Sequence, residues 1–192
     1  MYVLTKMLDK WKLKINVLLW YNMRQYRRDK AVETRHNRVF DMTATRRQAR
    51  EWAIQMLTAA DLNPPENVDL FIETFWDTLA TYDENEGGIL VKGKIRGFSE
   101  ERVRGVLAEQ GKIDETLERL LDNWELNRLG TVERAVLRMG VWELSHTDVP
   151  PPVVLNEAVD LVNWFSTPKS RAIVNGVLDK YAKNLAAGGA GK

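Results

Sequence analysis

The chain has 192 residues, of which 44% are hydrophobic and 29% are charged, an ordinary composition for a globular protein. No cysteine is present, which excludes disulfides and thiolate chemistry and fits a reducing cytoplasm. The net charge of +1 is uneven, because residues 1–41 carry ten Lys or Arg against four Asp or Glu, and the other 151 residues carry 18 against 23. A main body with this acidic balance would bind nucleic acid only through a local basic patch.

The first 41 residues are expected to form a basic extension. Their basic residues concentrate between Arg24 and Arg38, which would suit phosphate contacts. The alternative is an appended or wrongly started segment that lies outside the natural fold. A membrane-surface helix is disfavoured because lysines interrupt the apolar residues. No apolar run is long enough to span a bilayer, and no signal-peptide pattern is present.

Four helices are predicted in the first half of the main body, at residues 45–60, 66–81, 99–109 and 112–123. The first, second and fourth have apolar residues that recur at helical spacing. Ser99 is expected to cap the third helix, since serine is a good N-cap. The glycine-rich stretch 83–98 does not follow a phosphate-loop pattern, and it is expected to be an irregular surface connection between two subdomains.

Three further helices are predicted between residues 131 and 185. The first is expected to open with Thr131 as its N-cap and Glu133 in its first turn. The prolines at 150–152 end that helix and allow another to begin near Val153. A break at 166–168 precedes the last helix, whose predicted apolar face is Val174, Val177, Leu178, Tyr181 and Leu185.

No strand signal of any length is present, so the expected fold is all-α. About seven helices would form two small helical subdomains that share one core. The Gly- and Ala-rich residues 187–192 are expected to be a flexible tail.

Nothing in the sequence indicates catalysis or a cofactor. His36 and His146 are the only histidines, and neither has metal-ligand spacing with other candidates. A nucleophile elbow, a P-loop and a dinucleotide fingerprint are all missing. We therefore expect a protein that is not an enzyme.

Two clusters of basic residues are candidates for binding an anion. Arg46 and Arg50 lie four residues apart on the expected solvent side of the first helix, without an acid at a matching position, whereas Arg47 has Glu51 as a partner. Arginines at a helix N-terminus oppose the helix dipole, which favours an anionic ligand there. The last helix begins with a second basic element that contains Lys169. Both clusters also fit an ordinary solvated helix face.

Four sequence motifs carry a resemblance to a known family. They are RRQAREWAIQML near the start of the main body, followed by VERAVLRMGVWEL, VVLNEAVDL and IVNGVLDK. In this order they resemble the NusB family of bacterial transcription antitermination factors over residues 43–185. Residues 42–186 would then form the RNA-binding domain, with Met42 as a natural start.

The resemblance implies that the arginine-rich first helix and the start of the last helix lie side by side and bind single-stranded boxA RNA. The positions that match are Arg46, Arg47, Arg50, Lys169, Ser170, Arg171 and Ile173. Ile173 stands where the family commonly has an aromatic residue, so base stacking would be weaker there. Lys169 replaces a common acidic residue, so it would attract phosphate.

The resemblance also implies protein partners. The family binds the small-subunit ribosomal protein NusE, and the matching positions are Thr58, which replaces a usual tyrosine, and Glu133. Together they would read boxA in nascent ribosomal RNA and join an RNA polymerase antitermination complex. Homodimers also occur in the family.

The sequence is also compatible with two other functions. One is a NusB-like helical protein-interaction module without sequence-specific RNA binding. The other is the NusB-like appendage of an RNA cytosine methyltransferase, which is disfavoured because no methyltransferase domain follows Lys192.

Overall fold

A computed structural model describes residues 46–83, 93–121, 125–165 and 168–189. Within these ranges there are seven α-helices and no strand, which confirms the all-α prediction of about seven helices. The basic segment 1–41 lies outside the described residues. The helices are α1 (Arg46–Leu62), α2 (Val68–Asp83), α3 (Gly93–Ala108), α4 (Gln110–Leu120), α5 (Thr131–His146), α6 (Pro151–Phe165) and α7 (Pro168–Gly189).

Most predicted helix boundaries lie within three residues of the observed ones, and the exceptions are the end of α7 and the start of α3. Helix α7 continues to Gly189, so the first three residues of the expected flexible tail 187–192 are helical. Helix α3 begins at Gly93, so the prediction of an irregular stretch up to residue 98 is wrong for its last six residues. Ser99 lies inside the helix and is fully buried, so it is not a cap. The glycines at 93 and 97 suggested a loop, but Ile95 packs against the core and this tertiary contact favours the helix.

The start of α5 also differs from the prediction. Gly130 is the N-cap and Thr131 is already the first helical residue. The carboxylate of Glu133 folds back over Gly130, where it would overlap a Cβ atom. Glycine therefore suits this cap, and the predicted placement of Glu133 in the first turn is confirmed.

The helix α5 is central, and its neighbours run in defined directions along it. The beginning of α1 contacts the end of α5 through Arg50 and Glu143, and its end contacts the beginning of α5 through Asp61 and Arg134, so the two helices are antiparallel. In contrast, α7 runs parallel to α5. Its first turn is bonded to Glu133, and the hydroxyl groups of Tyr181 and Ser145 lie 2.7 Å apart further along.

One hydrophobic core contains residues from all seven helices. The buried Gly140 of α5 lies against Leu178 of α7, and Gly105 of α3 lies against the indole of Trp142. Leu185 is 41% exposed, so its predicted place on the buried face of α7 is wrong. The reason is that α7 continues past Tyr181, which is beside the last turn of α5. None of the described helices is both long and apolar enough to cross a membrane.

We predict that Gly105→Ala destabilises the protein, because the added methyl group would overlap the Trp142 indole. Overpacking of this kind lowers the free energy of unfolding by about 1–3 kcal/mol. The higher helix propensity of alanine than of glycine offsets part of this loss. The matched control is Gly176→Ala in α7, where nothing lies within 4 Å of the added atom. Urea unfolding should show a loss for the first variant and none for the second; equal values for both would contradict the close packing.

Candidate functional site

The three arginines at the start of α1 lie in different environments. Arg46 is exposed, and 46% of the Arg47 side chain is exposed. Arg50 is only 4% exposed, so the prediction that it lies on the solvent side without an acidic partner is wrong. Its Nε atom donates to both carboxylate oxygens of Glu143 in α5, at 3.0 and 3.1 Å.

Glu143 is the centre of a buried charged cluster. It is 1% exposed and accepts hydrogen bonds from Arg50 and from Arg102 of α3, which is 2% exposed. Burial lowers the pKa of Arg102, and the charge of Glu143 opposes this effect. A single buried carboxylate thus ties α1, α3 and α5 together. Arg102 also donates to the backbone oxygen of Phe98, at 3.0 Å.

The ring of Phe98 lies among three guanidinium groups. The Cζ atom of Arg102 is 3.2 Å from the ring centroid, that of Arg50 is 5.2 Å away and that of Arg46 is 5.8 Å away. These distances are within the range of cation–π attraction. The exposed Arg46 therefore lies over an aromatic ring that is itself held by the buried cluster.

Arg47 is bonded to acidic residues of another helix. Its Nε and Nη2 atoms each lie 3.3 Å from an oxygen of Glu157 in α6, and Nη2 also donates to Asp160. The hydrogen bond with Glu157 raises the pKa of Arg47. The expected partner Glu51 lies close by in α1, and burial raises its pKa to about 7. The negative charge of Glu157 also raises this pKa, whereas the positive charge of Arg47 lowers it.

A second charged network joins the other end of α1 to α4 and α5. Asp61 accepts from Arg134 at 3.1 Å and from Arg138 at 2.6 Å, and Arg138 also donates to Asp114 at 2.7 Å. Burial favours a raised pKa for Asp61, but the two arginines outweigh it and lower the pKa. The network fixes the end of α1, as the Glu143 cluster fixes its beginning.

The start of α7 is the second predicted basic element. Lys169 is exposed, and Arg171 is partly buried. The hydroxyl of Ser170 donates to Glu133 at 2.7 Å, which fastens this turn to the beginning of α5. Ile173 is partly buried and packs against the core, so it is less available to a ligand than its predicted position off the buried face suggested.

The two basic elements are anchored at different points. Arg50 is bonded to Glu143 near the end of α5, whereas Ser170 is bonded to Glu133 in its first turn. These two anchors are ten positions apart, which corresponds to about 15 Å of helix. Arg47 is bonded to Asp160 of α6, the helix that precedes α7 in the chain. The implied side-by-side arrangement of the two elements stays a prediction.

The two predicted partner-binding residues also differ in accessibility. Thr58 is 2% exposed, so its side chain is not available to a partner, contrary to expectation. Its hydroxyl group is buried without a hydrogen-bond partner. Glu133 is partly buried beside the start of α7. In the part of the chain that the structure describes, no group of three potential metal ligands is present.

Comparisons with known proteins agree with this architecture. The NusB family model matches residues 47–183. The chain is 39% identical over 142 residues to the transcription antitermination protein NusB of a Nitratiruptor species, and the match covers 74% of this chain and 94% of that protein. A NusB protein of Anaeromyxobacter dehalogenans is also 39% identical, over 75% of this chain and 94% of its own length.

Solved structures show the same likeness. NusB of T. maritima has a TM-score of 0.62 and 29% identity, and the match covers 73% of this chain and 92% of that one. The NusB chain in a crystal structure of the antitermination factors NusB and NusE in complex with dsRNA has a TM-score of 0.59 and 28% identity, with coverage of 72% and 96%.

We predict that Glu143→Gln strongly destabilises the protein, because it leaves two buried arginines without their shared carboxylate. Removing one partner of a buried ion pair typically costs about 3–5 kcal/mol. The matched control is Glu125→Gln, which removes the exposed pair with Arg128 and should change stability by less than about 0.5 kcal/mol. Similar unfolding free energies for the two variants would contradict the importance of the buried cluster.

We also predict a pH-dependent effect of Glu51→Gln. The pKa of Glu51 is raised from 4.5 to about 7 in the folded protein, so its contribution to stability is complete below pH 4.5 and is lost as the pH rises through 7. The glutamine variant lacks this loss, and its stability relative to the wild type should increase between about pH 5 and pH 8. Urea unfolding of both proteins at pH 5 and pH 8 tests this prediction. A difference in unfolding free energy that does not change with pH would refute it.

Proposed function

The chain belongs to the NusB family, and we propose that it is a transcription antitermination factor that binds boxA RNA in nascent ribosomal RNA together with the ribosomal protein NusE. Its relatives are transcription antitermination proteins, so this family member is not an enzyme. The observation that carries the proposal is the complex of a related NusB with NusE and RNA, whose NusB chain matches 72% of this chain.

The RNA would contact both basic elements. The exposed Arg46, which lies over the Phe98 ring, would bind phosphate at the beginning of α1. Lys169 would bind phosphate at the start of α7, where Ser170 and Glu133 hold the helix in place. A single-stranded RNA that contacts both elements would present unstacked bases between the two phosphate contacts.

NusE would bind beside the start of α7. Glu133 lies there and is partly accessible, whereas the buried Thr58 would not take part. A partner at this position would also contact the part of the RNA that continues beyond Lys169. The two proteins would then recognise the RNA together. The assembly would act within an RNA polymerase antitermination complex in the bacterial cytoplasm, where nascent transcripts are made.

The alternative is a helical interaction module without sequence-specific RNA binding, including a homodimer. One observation favours it: Arg47 and Arg50, two of the four arginines expected to contact RNA, are bonded to acidic residues of the same chain. Fewer cations are then available to phosphate than the sequence suggested. Salt separates the two functions, because phosphate binding weakens steeply with salt and an apolar interface does not.

We predict that the full chain binds a labelled boxA RNA more tightly than a scrambled RNA of the same composition, and that added NusE increases the preference. Arg46→Ala should weaken binding and reduce the slope of log K against log salt by about 0.7, the value for one phosphate contact on a single strand. Lys169→Asp should weaken it further, because it replaces attraction by repulsion. Fluorescence anisotropy across a salt series measures all of these quantities.

The matched control is Arg104→Ala, which removes an exposed arginine of α3 that is paired with Asp69. It should leave RNA binding unchanged. Arg50→Ala is unsuitable as a test, because Arg50 is buried and its loss would disturb folding. Equal, weak binding to both RNAs that none of these substitutions changes would refute the antitermination role and support an interaction module.

A further inference from the structure

The α6 carboxylate pair, Glu157 and Asp160, lies directly at the predicted RNA surface. The two residues are three positions apart, so they share one face of α6. Both are bonded to Arg47, which is the second residue of α1. The Glu157 carboxylate also lies 3.9 Å from Nη1 of Arg50. Two acids thus face the arginines that the sequence assigned to phosphate.

The contacts occupy one bidentate edge of the Arg47 guanidinium. Nε and Nη2 form the edge that a phosphate or carboxylate can bind with two parallel hydrogen bonds. Both atoms are bonded to Glu157, and Nη2 also to Asp160. A phosphate that approaches Arg47 therefore has to displace a carboxylate or approach from the other edge.

Charge opposes this approach as well. The group of Arg47, Glu157 and Asp160 has one positive and two negative charges, so its net charge is −1. Asp160 and Arg47 are accessible, since their side chains are 45% and 46% exposed, whereas the Glu157 side chain is 20% exposed. At such exposure the acids repel a phosphate in solvent, and the repulsion is felt before any contact is made.

From these contacts we infer that Glu157 and Asp160 limit the affinity of this chain for RNA by withholding Arg47 from phosphate. This inference rests on the proposed function, because it concerns the same RNA surface. It assigns to α6 a role in RNA binding that the positions of the basic residues alone do not indicate. The effect is independent of sequence, so the pair would suppress binding to bulk RNA and leave recognition dependent on bases.

The test is Asp160→Asn, which keeps the size of the side chain and removes its charge. Its affinity for the scrambled single-stranded RNA at low salt should rise about three- to fivefold, the equivalent of one exposed ion pair. The slope of log K against log salt should steepen by about 0.7, as for one added phosphate contact. Glu157→Gln provides a second variant at the same surface and should change affinity in the same direction.

Two controls isolate the role of Arg47. Asp69→Asn also removes the acid of an exposed arginine pair, the one with Arg104, and raises the net charge by the same amount. It should leave RNA affinity unchanged. In an Arg47→Gln background, Asp160→Asn should increase affinity less and should no longer steepen the salt dependence, because only the repulsion between Asp160 and phosphate is then removed.

The outcomes separate this inference from the proposed function. Preference of the wild type for boxA over scrambled RNA decides the proposed function. The ratio of Asp160→Asn to wild-type affinity for scrambled RNA decides the role of the carboxylate pair. If Asp160→Asn does not raise RNA affinity, whether or not its thermal stability falls, the carboxylate pair does not limit RNA binding and the inference is wrong.

Discussion

The two hydrogen bonds of Arg50 and the bond of Arg102 all end on one carboxylate, that of Glu143, inside the core. Buried charges of this kind are tolerated only when they are paired and hydrogen-bonded, so the three side chains fix the relative positions of α1, α3 and α5. The position of the Phe98 ring depends on this arrangement, because the guanidinium group of Arg102 lies over the ring. The exposed guanidinium of Arg46 lies over the same ring. The accessible Arg46 thus depends on a cluster of side chains that are themselves buried.

The arginines of α1 illustrate how one cluster of like charges can serve three purposes. Arg50 belongs to the core, Arg47 joins α1 to α6, and Arg46 remains exposed. Their spacing does not explain the division, since residues 46 and 50 lie on the same side of the helix. The division comes from what lies opposite, because Arg50 faces Glu143 of α5 and Arg47 faces Glu157 and Asp160 of α6. The number of arginines that are close together in the sequence is therefore larger than the number that a ligand can contact. The acids that pair with these residues come from α5 and α6, far away in the chain.

Hydrogen bonds to α5 fix both α1 and α7. The bond between Ser170 and Glu133 places the start of α7 at the first turn of α5, whereas Arg50 is held near the last turns. The Asp61 network fixes the end of α1 near the same first turn of α5. The positions of both basic elements therefore depend on side chains of α5.

Periodicity and helix-breaking residues determined the all-α fold and most helix boundaries of this protein by themselves. They were sufficient because an amphipathic stripe and a proline act locally, as at Pro151. The sequence motifs were sufficient for the family. Local rules failed at Ser99 and Leu185, where burial depends on what lies opposite. Only the tertiary structure decided that Arg50 is buried and that Arg47 is bonded to α6, because these facts depend on side chains that the chain brings together over about a hundred residues.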